Sequence, residues 1–169
     1  MDLNDVKTIF RQALPMEETS SNVARNRAVT VKHLVGSTVS LFVEALTEDN
    51  SQLVVITPDE EAAKLLLSDL ESLGVQGTLF FPDLRLDPDD PERVVDTALL
   101  VQRSEALDRL SRARRFILVT SASAVMEKVA SADMFRDSVV DIRKGDRLEP
   151  HSLKEQLVRQ GYDLVGFVD

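Results

Sequence analysis

Apolar positions along the chain alternate between two spacings. Leu3, Val6, Ile9, Phe10 and Ala13 recur as one face of a helix, which Pro15 brings to a stop. The polar residues 17–26 read as a loop, residues 29–35 as a strand, and residues 39–46 as a helix. Leu53-Val54-Val55-Ile56 is apolar without alternation, the pattern of a strand covered on both faces and therefore interior to a sheet. Residues 61–73 predict a helix with Ala62, Leu65, Leu66, Asp69 and Leu73 along its inner stripe and Gly74 closing it. A third strand follows at 78–81, then an Asp- and Pro-rich loop at 84–91 and a long helix from about 92 to 112. Phe116-Ile117-Leu118-Val119 is a second interior strand, followed by a short helix at 122–129 and a strand at 138–142. Strands alternating with helices of this length predict an α/β domain: a mostly parallel sheet with helices on both faces.

The texture changes after Ile142. Arg143-Lys144-Gly145-Asp146 is a polar junction, residues 150–160 form a helix closed by Gly161, and an apolar segment runs from Tyr162 to Val168. The expected organisation is an α/β domain over residues 1–143 and the start of a truncated α+β unit over residues 144–169. An apolar edge without a neighbour tends to pair, so self-association through the segment Tyr162 to Val168 is expected.

Composition narrows the chemistry. The chain has 169 residues, 43% of them hydrophobic, with a net charge of −9. An acidic chain lacks the clustered Lys and Arg that phosphate-backbone affinity requires, which argues against a primary nucleic-acid binder. Without cysteine, thiolate sites and disulfides are excluded, and the two histidines, His33 and His151, are too few for a His-rich metal site. The N-terminus has no signal-peptide character and no apolar run is long enough to span a membrane, so a cytoplasmic protein is expected.

Several segments sit where chemistry could. From His33 to Phe42 an apolar run meets Gly36-Ser37-Thr38 and enters a helix, the strand-loop-helix setting of a phosphate loop. The working motif ends in Gly-Lys-Ser/Thr, with lysine on the phosphates and the hydroxyl on Mg²⁺. Here the lysine is missing and Lys32 lies upstream, so Gly36, Ser37 and Thr38 mark a degenerate phosphate-loop position on a helicase-like NTPase scaffold. The run from Leu53 into Asp59-Glu60 resembles a Mg²⁺-holding strand end. It reads better as a capping box, with Thr57 as N-cap, Pro58 at the first helical position and Glu60 reaching back. Asp87, Asp89 and Asp90 lack the spacing of a calcium loop and read as a solvated turn. Arg109, Arg112, Arg114 and Arg115 cluster at a helix end, where cations complement the dipole. His33 is expected packed or capped, and no catalytic or metal-binding residue is expected.

The order of these segments resembles a known family. Leu34-Val35-Gly36-Ser37, Leu53 through Asp59, Ala62-Ala63, Asp69-Leu70 and Phe81-Pro82-Asp83 appear in sequence. Gln102-Arg103-Ser104-Glu105-Ala106-Leu107, Ile117 through Ser121, Lys144 through Leu148, Leu153 through Leu157 and Gly161-Tyr162 follow. Together they resemble the N-terminal region of the bacterial transcription-repair coupling factor, which is similar to the excision-repair protein UvrB. The resemblance covers residues 34 to 168. It implies a degenerate UvrB-like domain followed by the first elements of a UvrA-binding domain, in a fragment without catalysis or cofactor of its own. In that family ATP and Mg²⁺ serve motor domains far C-terminal, and contacts to RNA polymerase and DNA lie outside this chain. The Gly-rich, Arg-containing stretch that follows Gly-Tyr in the family is missing, so no UvrA-binding residue is carried over and weak UvrA binding is expected. Two other classes stay open: a weak nucleotide binder using Arg103 or Lys32 as phosphate ligand, and an unrelated protein-binding α/β domain.

Overall fold

A computed structural model describes residues 2–13, 15–47, 52–84, 96–129, 131, 140, 142–159 and 165. The chain divides into two compact units, Met1–Lys128 and Val129–Asp169. In the first unit the order is α1 (Leu3–Ala13), α2 (Met16–Ala24), α3 (Thr38–Leu46), β1 (Gln52–Thr57), α4 (Glu60–Ser72), β2 (Thr78–Phe81), α5 (Thr97–Arg112), β3 (Phe116–Ser121) and α6 (Ala122–Met126). The second unit contributes α7 (Pro150–Arg159).

Three strands form one parallel sheet in the order β1-β3-β2, with Leu53 opposite Ile117 and Thr78 also opposite Ile117. Alternation along the strands sends side chains to two faces. On one, Ile117 and Val119 pack with Val43 of α3 and Ala63, Leu66 and Leu70 of α4. On the other, Phe81 and Leu118 meet Ala106 of α5 and Ala124 of α6. The α/β class and the helices on both faces are therefore as the hydrophobic pattern dictated.

Four local expectations give way. Residues 16–24 are helical, because Pro15 precedes a turn whose Glu17 and Glu18 complement the helix dipole and Thr19 finds a buried seat. Residues 29–35 form no strand: His33 sits at φ +66°, which breaks a ladder, and Val35 is 78% exposed. Strand β1 is an edge among the described strands, not an interior one. Its Val54 and Ile56 are 57% and 54% exposed, on the face where α5 packs chiefly against β2. Helix α4 turns Ala63, Leu66 and Leu70 inward, while Leu65 faces solvent.

The start and end of α4 have clear causes. Asp59, not Thr57, is the N-cap: its carboxylate accepts the Ala62 N–H at 2.8 Å. Thr57 instead donates its hydroxyl to the carbonyls of Asp59 and Thr120, tying β1 to β3. At the other end the Val75 N–H reaches the Leu70 carbonyl and the Gly74 N–H the Glu71 carbonyl, with Gly74 at φ +73°, a Schellman close.

Helix α1 buries no residue fully and contacts α3. Lys7 and Arg11 both reach the same oxygen of Glu44, at 3.2 and 2.8 Å, and Lys7 donates to the Leu73 carbonyl. The acidic turn at 87–90, the strand expected at 138–142 apart from residues 140 and 142, neither of which is in a strand, and the segment from Tyr162 to Val168, Val165 apart, lie outside the described residues.

Candidate functional site

The turn at Gly36-Ser37-Thr38 enters α3 as expected, with Gly36 at φ +57°. Part of its hydrogen-bonding capacity is spent inside the turn. The Thr38 hydroxyl lies 2.7 Å from both the Val35 nitrogen and the Val35 carbonyl oxygen, accepting from one and donating to the other. The Thr38 and Val39 N–H groups donate to the carbonyls of Val35 and Gly36, each at 3.3 Å. A phosphate loop works by leaving such N–H groups and that hydroxyl aimed at the ligand. Ser37 sits at the N-cap position without a capping side-chain bond.

The two cations that might have served this turn are elsewhere. Lys32 is exposed and lines a groove against α2 with Glu18 and Asn22. Arg103 is 5% exposed and fully occupied with structure. Its guanidinium donates to the Pro82 carbonyl at 2.9 Å, pairs with Glu127 and lies 4.0 Å over the Phe81 ring. Glu127 in turn accepts the Leu84 N–H at 3.1 Å. Burial, with a hydrogen bond to Asp83, pushes the Glu127 carboxyl above its ordinary range, against the pull of Arg103. This knot fastens the end of β2 to α5 and to the residue after α6. Arg103 was visible in the sequence as a cation on a helix; Glu127 carried no signal, since its partners come from two segments distant in the chain, α5 and the residues after β2.

The carboxyl ends of the strands, where parallel sheets place their ligands, are closed by hydroxyls. The Thr120 hydroxyl donates to the Phe81 carbonyl at 2.8 Å, and the Ser121 oxygen caps α6 at Ala124 while sharing a hydrogen with Ser123. Asp59 and Glu60 cap and pair along α4, Glu60 with Lys64. In the arginine run, Arg112 pairs with Asp108 and Arg115 donates to the Thr47 carbonyl. His33 is exposed, not packed, and His151 pairs with Glu155 on the surface of α7. Among the described residues no cluster of His, Asp or Glu has the makings of a metal site, and no helix is long and apolar enough to cross a membrane.

Fold and turn together define an α/β module on a parallel sheet, with a glycine turn into α3 in which Thr38 and Val39 bond back to Val35 and Gly36. Transcription-repair coupling factors match it. That of Haemophilus influenzae is 31% identical over 130 residues, 75% of this chain and 11% of that protein. That of Myxococcus xanthus is 38% identical over 117 residues, 65% of this chain and 10% of the relative. That of Bacillus subtilis is 29% identical over 132 residues, 77% of this chain and 11% of the relative. The chain is related to a region of the transcription-repair coupling factors and spans about a tenth of their length. No protein-family model and no solved structure matches it.

Proposed function

We propose that this chain is a non-catalytic scaffold module of a transcription-repair coupling factor, in which a UvrB-like domain has kept its fold and lost its nucleotide chemistry. The observation that carries this is the turn at Gly36-Ser37-Thr38. It has no lysine, its Thr38 hydroxyl is held by Val35, and the N–H groups of Thr38 and Val39 are held by Val35 and Gly36. A triphosphate would have to break these bonds and would meet only a helix terminus in exchange. The module then works by protein contact. UvrA is the partner the resemblance implies, bound weakly by this chain, and coupling of stalled RNA polymerase to repair belongs to the longer protein. DNA translocation, with its ATP and Mg²⁺, likewise belongs to that protein's motor domains.

Calorimetry of the 169-residue chain against Mg-ATP tests the reading. Absence of saturable heat at millimolar nucleotide is the expected result. Micromolar affinity that disappears on Ser37→Ala would overturn it and favour a nucleotide-binding domain.

A further inference from the structure

Strand β2 is an edge of the sheet among the described strands. The Ile117 N–H donates to the Gly77 carbonyl at 3.1 Å, and Thr78 stands opposite Ile117. In a parallel ladder this phase turns the N–H and C=O groups of Thr78 and Phe80 away from β3. None of the described residues bonds them. They lie on the floor of a cavity of about 310 Å³ that runs between α4 and α5. Leu67 and Glu71 line it on the α4 side, and Gln102, Glu105 and Arg109 on the α5 side. Glu71, Glu105 and Arg109 form no ion pair among the described residues, so the walls carry two unpaired carboxylates against one guanidinium.

An open strand edge between two helical walls is the form in which extended peptides are bound by strand addition: main-chain bonds give affinity and flanking side chains select the sequence. We infer that the groove over β2 takes an extended segment of a partner protein bearing basic side chains, which adds as a fourth strand beside Thr78 and Phe80. The backbone supplies two donors and two acceptors. Glu71 and Glu105, one from each wall, select a cationic side chain and oppose an acidic one. The same charges guard so short an edge against pairing with a second copy of this acidic chain. The interaction uses no part of the Gly36-Ser37-Thr38 turn, so it stands or falls separately from the loss of nucleotide binding.

The test uses the intact chain and a short peptide of alternating valine and lysine, with the valine–glutamate peptide as control. Amide spectra of the labelled protein should show the lysine peptide shifting Thr78, Phe80 and the α5 face, with the control peptide inert. Thr78→Pro removes an outward donor and leaves the ladder to β3 intact, a placement proline tolerates on edges. It should weaken binding about tenfold or more, as should Glu71→Lys combined with Glu105→Lys. Unfolding curves of each variant establish that the sheet is kept. An alternative donor-free variant, Phe80→Pro, replaces Thr78→Pro if the latter fails to fold. Three results would overturn the inference: no shifts at millimolar peptide, shifts confined to Val54 and Ile56 of β1, or sedimentation showing that the groove is filled by a second copy.

Discussion

A buried arginine costs a fold more than it returns unless every face of its guanidinium is used. Arg103 meets that condition through Pro82, Glu127 and Phe81. Glu127 is the titratable member. Its folded pKa lies above the ordinary 4.5, so the folded chain holds this proton more tightly than the unfolded chain does. The stability gained is fully present below the unfolded value and is lost as pH rises through the folded one. Denaturant titrations of wild type and Glu127→Gln, stepped upward from pH 4, should show wild type losing stability relative to the variant over that window. A flat difference would mean that Glu127 keeps its ordinary pKa. The candidate site was only half legible at this scale. The missing lysine after Gly36 could be read directly. The capture of Thr38 by Val35 could not, because it depends on a backbone turn whose neighbours, from His33 at positive φ onward, break the strand that the apolar letters of 29–35 promised.

At the scale of elements, what the sequence disclosed depended on whether packing was local. Helices α3, α4 and α5 and all three strands follow from periodicity, and Gly74 marked the end of α4. Burial on β1 did not follow. Its Val54-Ile56 face differs from Leu118 and Thr120 only in standing one strand further from α5, and strand order is invisible to a local pattern. The energetic consequence separates two isoleucines of equal hydrophobicity. Ile117, 4% exposed in the centre of the first core cluster, should cost roughly 2–5 kcal/mol on substitution by alanine. Ile56→Ala should stay within about 0.5 kcal/mol, as exposed positions do. Equal losses in urea denaturation would place β1 in the interior after all. The cap of α4 gives a second test. Asp59→Ala should destabilise by about 1 kcal/mol in urea denaturation, and an unchanged stability would mean that its carboxylate does not cap the helix.

Across the molecule, stability is unevenly distributed, and the attachment of α1 has a consequence for how the chain comes apart. Two cations on that helix converge on one oxygen of Glu44, itself a residue of α3, and none of the helix is fully enclosed. The first eleven-residue helix is thus held at Glu44 and at the Leu73 carbonyl, while the sheet behind it is sewn along its length. Glu44→Gln takes away both ion pairs together and should free the helix as a unit. Hydrogen exchange at Val6, Ile9 and Phe10 should then approach that of an unstructured chain, with Val119 and Leu70 as protected as before. Uniform acceleration at both places would mean that α1 melts only with the whole domain. If the helix does part first, the surface it leaves on α3 and beside Leu73 becomes available at moderate ionic strength, long before the sheet yields, and the chain has a second folded form of lower order built into its first dozen residues.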